Sequence, residues 1–471
     1  MMLLFVPESL LALEVEAFAG SGSESATTET PSERAIDDVV VEIQTDAGGE
    51  MGVARTLSLT EALDRALSEN LDIALARAEE EIARGRYGAE LGSFYPSLEF
   101  GGLYRRRDGR IQGSFGNIAD GLEFSTYEGR VGLAYRLNIL EEIYDSIASR
   151  RDLDTAVLQR LDKEQRIILR VTELYHDLLL TKIGVAISGQ LVDHSEQLMR
   201  ITSARANTGL GLGSDVARAK ARLASDRQEQ IRARALWRTA SVRLAQTIRA
   251  DPSIPLDPVE SQLSPVSLPL PEKGTEDRRQ ALGRPDVEAA RKNLDAAASR
   301  KTAAWWDLFG PDLAAGVGTI NLGEDTDNLR SRHEYGVVLL WGLSIEKIGR
   351  IHQRQAEEEA ARLRVADVQD RALSEIEIVR REIESAQERI PFAHEALDAA
   401  NTNLRITMAR FREGTAIALE VFDAQDTLAQ SRFDLARTIA SFNLAQVRFL
   451  AASGVLDRSL FARGSSSGAK P

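Results

Sequence analysis

Two hydrophobic periods alternate along the chain. From Ser58 the apolar positions of LSLTEALDRAL recur every three to four residues. That spacing predicts a helix from Ser58 to about Gly92, capped by Ser58 or Thr60, with Glu61 placed to close a capping box with Ser58. Past Pro96 the period falls to two. LEFGGLY sets Leu98, Phe100 and Tyr104 on one side. TYEGRVGLAYRLN sets Tyr127, Val131, Leu133, Tyr135 and Leu137 against Glu128, Arg130, Gly132, Ala134 and Arg136. Strict alternation predicts strands. Helical spacing returns at about Glu141 and holds to Asn207, a run of about 100 Å at 1.5 Å per residue. TGLGLG interrupts it, and a second helix of about half that length follows from Asp215 to Ala250.

The plan then repeats. A Pro-rich segment, 251–274, holds six of the 13 prolines, which marks it as a linker. A helix is predicted over 276–308. Pro311 stands where Pro96 stood. DLAAGVGTINL places Leu313, Ala315, Val317 and Thr319 on one face, and EYGVVLLWGLS places Tyr335, Val337, Leu339, Trp341 and Leu343 on one face. Helices over about 346–412 and 417–452 complete the copy. The longer one carries a heptad stripe (Ile376, Val379, Ile383, Ala386, Ile390, Ala393, Leu397, Ala400 and Leu404), the pattern of a left-handed coiled-coil seam. Pro391 lies inside it, where a missing N–H predicts a kink or a short break. The two helix–break–helix tips align at a constant offset of 205, with identities at Ala204/Ala409, Arg205/Arg410, Gly209/Gly414, Val216/Val421, Ala219/Ala424, Leu223/Leu428, Ala224/Ala429 and Arg227/Arg432. Duplication of a whole helical hairpin constrains function more than any single side chain.

Composition narrows the choice. A net charge of −14 argues against nucleic acid as a partner, because phosphate binding needs a basic face. With no cysteine there are no disulfides, thiol catalysis or Cys-based zinc site. The five histidines are scattered without metal-ligand spacing, no nucleophile–base set stands out, and no cofactor site follows, so the reading is not an enzyme. No run of 18 apolar residues offers a transmembrane helix. Residues 1–19 read as a weak signal peptide. Ala17-Phe18-Ala19 before Gly20 suits cleavage, but no Lys or Arg precedes, and Glu8, Glu14 and Glu16 interrupt the apolar run. Residues 20–55 read as a disordered linker and 455–471 as a disordered tail. The domains are therefore repeat 1 over 56–250, the linker 251–274, and repeat 2 over 275–454.

Four alternating strands of about 9–11 residues match outer-membrane strands in length and pattern. Four cannot close a lipid-facing barrel, and an open edge in lipid leaves backbone groups unpaired. Membrane strands must therefore come from several chains, and three chains give twelve. The expected fold is mainly α with membrane β-barrel strands: two repeats, a long α-helical coiled-coil tunnel, and four strands per protomer. Of 26 aromatic residues, 14 fall in 94–144 and 305–341. Phe94, Tyr95, Trp305, Trp306 and Phe309 thus sit at the strand entrances, as a membrane-interface belt would. Core packing is the alternative for these rings. Arg105, Arg106, Arg107 and Arg110 read as an extracellular loop suited to lipopolysaccharide phosphates, or as a solvated charge run.

In its LTEAL start, its N-L-D-I and R-P-D-V segments (70–73 and 284–287), its prolines 96 and 311 and its two G-x-x-x-x-x-[DE]-V tips, the chain resembles the TolC-like outer-membrane efflux family over about 56–453. The resemblance implies a homotrimer in the outer membrane of Gram-negative cells, in contact with outer-membrane lipid, with a long periplasmic tunnel. It implies an exit duct for a tripartite efflux pump or type I secretion system, working with a periplasmic adaptor protein and an inner-membrane pump. It also assigns Glu420 and Asp423 to acidic rings at the periplasmic gate. A helix N-terminus that favours acids through its dipole is the plainer explanation for them. The tips, with Arg205, Gly209, Asp215, Arg410, Arg412 and Gly414, become gate or adaptor contacts. Where some relatives latch the tip with a Tyr and an Arg, this chain has Phe411 and Ala416, and Asp215 is retained. A latch must then use other groups, such as Arg410 or Arg412. The strand-to-helix turns, RLNILEEIYDS and WGLSIEKIGRI, also lack the family's Pro-Leu-aromatic and Gly-Gly pattern. A periplasmic coiled-coil adaptor or scaffold is the competing class, disfavoured by four strands in two pairs.

Overall fold

The computed structural model describes residues 41–42 and 54–464, apart from 113–115, 117, 210, 261, 269 and 271–274. The signal-peptide reading over 1–19 and nearly all of the 20–55 linker lie outside these residues. In chain order the elements are β1 (Val41–Glu42), β2 (Arg55–Leu57), α1 (Leu59–Glu69), α2 (Leu71–Gly92), β3 (Ser97–Gln112), β4 (Ile118–Leu137), α3 (Ile139–Asn207) and α4 (Gly213–Thr247). The second half continues with β5 (Leu256–Pro258), β6 (Gln262–Leu263), α5 (Thr275–Leu282), α6 (Pro285–Phe309), β7 (Asp312–Gly323), β8 (Arg330–Leu340), α7 (Ile345–Glu413), α8 (Ala418–Ala452) and α9 (Ser459–Gly464). The fold is mostly helical, with one four-stranded sheet at the end where α2, α3, α6 and α7 meet the strands.

Ser58 caps α1 by accepting the Glu61 N–H at 3.2 Å. The helix expected to run on to Gly92 instead breaks at Asn70, whose backbone is extended. Asn70 Oδ1 takes the Asp72 N–H at 2.8 Å and so caps α2, while Nδ2 donates to the Thr247 carbonyl at 2.9 Å. One side chain ends one helix, starts the next and pins both to α4.

The two 69-residue helices, α3 and α7, are each about 100 Å long. α7 passes through Pro391 without a break in the helix. α3 packs against α2 and α4 and also against α6 and α8, and α7 packs against α6 and α8. The helical wall therefore runs α2/α4, α3, α6/α8, α7, with each pair of shorter helices matching one long one. The heptad stripe is its seam: Ile376, Val379, Ile383, Ala386 and Ile390 are buried with Phe442, Ala445 and Phe449 of α8. Toward the tips, Ala393 and Leu397, then Leu404, pack on the neighbouring clusters.

The described residues of the segment 251–274, read from its prolines as a linker, lie against this wall. β5 pairs in parallel with β2, and β6 pairs with β1. Asn443 and Gln446 of α8 then take the N–H groups of Val266 and Leu268 at 2.9 and 2.8 Å, and donate back to the carbonyls of Ser264 and Val266. Prolines remove donors, and these two side-chain amides satisfy part of what remains. The helix α9 lies within the stretch expected to be an unstructured tail.

The four longer strands form one antiparallel sheet in the order β3-β4-β7-β8. The pairing of β4 with β7 joins the two repeats. β3 and β4, at 16 and 20 residues, exceed the 9–11 expected. The arginine-rich stretch is the reason. Arg105–Arg107 pair with Thr126, Ser125 and Phe124 inside the ladder, so the segment read as a loop is strand.

Candidate functional site

The two tips meet side by side. Gly209 and Gly414 have φ of +75° and +82°, a left-handed turn that a side chain would strain. Arg205, at the end of α3, donates to the Arg412 carbonyl at 2.9 Å, and its guanidinium lies 4.8 Å from the centre of the Phe411 ring. Phe411 is buried with Leu198, Ala219, Ala416, Ala418, Val421 and Phe422, an apolar knot drawn from α3, α4, α7 and α8.

The expected tip residues divide into separate contacts. Asp215 lies in the first turn of α4 and its carboxylate is 3.9 Å from Arg218 of the same helix. Arg410 lies 3.6 Å from Glu420 and reaches the Thr415 carbonyl at 3.4 Å. Glu420 also approaches the Ile417 N–H at 3.5 Å, at the start of α8. Glu420 is thus engaged by its own hairpin, whereas Asp423 is exposed. Arg412 contributes its carbonyl to the contact with the other tip.

A connection between the hairpins that sequence reasoning missed lies two turns farther in. Arg222 of α4 forks onto both oxygens of Asp426 on α8, with Nη1 to Oδ2 at 2.7 Å. Its Nε also lies 3.1 Å from Asp226, which is 3% exposed and accepts the Ser195 hydroxyl of α3. Burial opposes the charge on Arg222, but the hydrogen bonds and charges of Asp426 and Asp226 outweigh it and raise the pKa. The chain Ser195–Asp226–Arg222–Asp426 spans three helices and both repeats. Arg222 and Asp226 are four apart and read as an ordinary helical pair, and no local pattern marks Asp426 as their partner.

At the other end, α2, α3, α6 and α7 meet the sheet. Asp307 is held by Lys347 at 2.8 Å and Arg350 at 2.9 Å. Near it, burial, reinforced by Asp307, Asp145 and Glu142, pushes Glu141 up to about 7. Burial, with Glu90 and Glu142, pushes Asp145 up to about 6. Among the expected interface aromatics, Tyr95, Trp305, Trp306 and Phe309 are exposed and Phe94 is half-buried, with Trp305 and Phe309 stacked at 5.8 Å. All five lie at the helix-to-strand passages of α2–β3 and α6–β7.

The sheet has two unlike faces. One carries the rungs Leu98–Leu133–Val317–Tyr335 and Phe100–Val131–Thr319–His333. The other carries Ser97–Ala134–Gly316–Gly336, Glu99–Gly132–Gly318–Glu334 and Gly101–Arg130–Ile320–Arg332. The second face is concave: a depression of about 650 Å³ is lined by Glu99, Arg130, Gly132, Arg136, Gly318 and Glu334 among others. Gly132 and Gly318 face each other where the strands crowd, since a Cβ on either would lie 2.8–2.9 Å from the opposing backbone oxygen. No helix is long and apolar enough to cross a membrane, and no cluster of three metal-binding side chains occurs among the described residues.

Comparison with solved structures finds this architecture in outer-membrane proteins. The outer membrane protein VceC from Vibrio cholerae is 18% identical, with 84% of this chain and 96% of that one covered, at a TM-score of 0.74. The CmeC outer membrane channel of Campylobacter jejuni is 16% identical, with 88% and 90% covered, at 0.74. The MtrE outer membrane channel of Neisseria gonorrhoeae is 19% identical, with 85% and 90% covered, at 0.73. Among curated protein sequences none matches. The family model for outer membrane efflux proteins matches residues 62–248 and 279–455, one stretch in each repeat. The chain therefore belongs to the outer membrane efflux protein family, whose place is the outer membrane of Gram-negative cells.

Proposed function

We propose that three copies of this chain assemble into a gated outer-membrane exit duct that accepts cargo from a periplasmic adaptor and an inner-membrane pump or type I secretion system. The observation that carries the reading is the open sheet. β3 and β8 each have one unpaired edge, and one face is mainly apolar on the rungs next to the helices while the concave face is charged and glycine-rich. In lipid such edges must be paired by other chains, and three copies supply twelve strands. The apolar face then meets lipid, the aromatic residues Tyr95, Trp305, Trp306 and Phe309 lie at its border, and the concave face lines the lumen.

The same closure serves the helical wall, where α2/α4 at one end would meet the α7 of the next copy. At the tips, Arg205 with Phe411 and Arg222 with Asp426 hold the two hairpins together and act as the latch. Three copies of Asp423, with Glu420 behind it, would form the acidic entrance that selects for cations. The outer membrane protein VceC and the CmeC and MtrE outer membrane channels lend support as outer-membrane proteins of like fold. The test is reconstitution of purified protein in planar bilayers. Discrete channels from a species of three chain masses are expected. Monomeric, detergent-independent, non-conducting protein would overturn the reading.

A further inference from the structure

The register of the sheet sorts the arginine cluster by face. Counting in twos from Glu99, the strand β3 sends Gly101, Leu103, Arg105 and Arg107 to the concave face and Arg106 and Asp108 to the other. Arg106 and Asp108 face outward on the rungs of Ser125 and Glu123. A phosphate-binding patch on the outer surface thereby loses Arg105 and Arg107; Arg106 remains next to Asp108, and Arg110 lies at the register shift that follows. The concave face gains instead. Its rungs, moving away from the helices, read Glu99–Gly132–Gly318–Glu334, Gly101–Arg130–Ile320–Arg332, Leu103–Glu128–Leu322–Arg330, Arg105–Thr126 and Arg107–Phe124.

The carboxylates on this face are already matched. Glu128 pairs with Arg130 at 2.7 Å, Glu334 with Arg332, and Glu99 lies 3.9 Å from Arg136. Three cations are left over: among the described residues, Arg105, Arg107 and Arg330 have no carboxylate within 4 Å, and all three are exposed. They occupy successive rungs at the end of the sheet farthest from the helices, where β3 and β4 rise beyond β7 and β8. Glu128 shares the rung of Arg330 but is held by Arg130, and Glu324, Asp325 and Asp327 lie in the β7–β8 turn and not on the inward rungs.

We infer that Arg105, Arg107 and Arg330 form a cationic collar inside the outer mouth of the barrel, which attracts anionic solutes and binds multivalent organic anions. The inference rests on the barrel reading above, because it takes the concave face as the lumen. Three copies place nine unpaired guanidiniums around one axis. Guanidinium forks suit phosphate and carboxylate groups, and a narrow low-dielectric pore concentrates their field. The duct would thus carry opposite charge at its two ends, acidic at the helical tips of a chain whose net charge is −14 and basic at the exit.

The experiment uses oriented channels in planar bilayers at low salt, with inositol hexakisphosphate as the probe. Added on the barrel side, the probe should block wild-type current; added on the tunnel side, it should block far less. The R105Q/R107Q/R330Q variant should lose that block and shift its reversal potential in a KCl gradient toward cation selectivity. The R106Q control, on the opposite face, should behave as wild type. Absence of any channel in the wild type would overturn the barrel reading itself. Wild-type channels indifferent to the probe from the barrel side would overturn the collar alone, whether or not the triple variant inserts. So would a triple variant with unchanged block and reversal potential.

Discussion

Arg222 holds two carboxylates of unequal exposure, and that inequality sets what each contact is worth. Asp226 is almost fully buried, so removing the guanidinium leaves a desolvated acceptor short of its partner, at about 1–3 kcal/mol. Asp426 is 48% exposed, and an ion pair of that kind is worth roughly 0.2–1 kcal/mol. R222Q should therefore lower the thermal midpoint clearly, and D426N only slightly. Both cut the tie between hairpins, and both should raise single-channel conductance; unchanged conductance in both would show that the latch lies elsewhere. A similar split separates the two acids of the second tip. Glu420 is engaged by Arg410 and the start of α8, so E420A should loosen the tip itself. Asp423 is exposed, and D423A should leave folding intact while lowering cation selectivity and block by divalent ions. Equal selectivity in wild type and D423A would return Asp423 to an ordinary helix-end carboxylate.

Among the elements, those built on one face of a periodic pattern were legible from sequence. The heptad from Ile376 to Leu404 became a buried seam because its spacing alone fixes which residues face α8. The outward strand rows, Leu133 with Val317 and Val131 with Thr319, followed from alternation in the same way. What escaped depended on a single polar side chain or on distant partners. Asn70 sits in an unbroken amphipathic pattern, and its capping of α2 is visible only once Thr247 stands beside it. The arginines of β3 look like loop because charge hides alternation, and only the pairing with Thr126 and Phe124 reveals strand. The Arg222–Asp426 tie joins residues 204 apart in sequence. The helix–sheet junction was equally hidden, and it titrates. Glu141 is pushed from 4.5 up to about 7, so between those values the folded chain holds a proton that the unfolded chain releases. Folding stability contributed by this group falls as pH rises through that window. The E141Q variant, which has no charge to bury, should gain thermal stability over wild type at pH 8 and lose the advantage near pH 4.5. An advantage of the same size at both pH values would show that Glu141 is solvated. At the crowded rung of the sheet, G132V forces a branched side chain toward the Val317 carbonyl. It should cost about 1–3 kcal/mol and reduce the yield of assembled protein, whereas G336V, with open space around it, should be tolerated.

At the scale of the whole molecule, the proposed assembly calls for three copies and not two. Two copies would give eight strands, and an eight-stranded barrel is just wide enough to be filled by its own side chains. The concave face here carries Arg130, Arg136, Arg332, Glu99, Glu128 and Glu334, long charged side chains that eight strands would press together without water. Twelve strands leave an aqueous lumen for them. The helices require the same closure. α7 exposes Ile348, Leu363, Ile378, Phe392 and Ile406, spaced by 14 or 15 residues, which is four helical turns and so a single stripe along its length. α2 and α4, at the other end of the wall, expose Leu71, Leu75, Ile82, Ile231, Leu236 and Val242. Each large apolar side chain fully buried at such a junction contributes about 1.5–3 kcal/mol, so the stripe outweighs the loss of any single residue but not the introduction of charge at two. I378D/F392D should therefore yield folded, helical protein that elutes as a monomer, while the conservative I378L/F392L elutes at three chain masses like wild type. A trimer that survives the double aspartate would place the subunit contact on another face of α7 and leave the stripe free for a different partner.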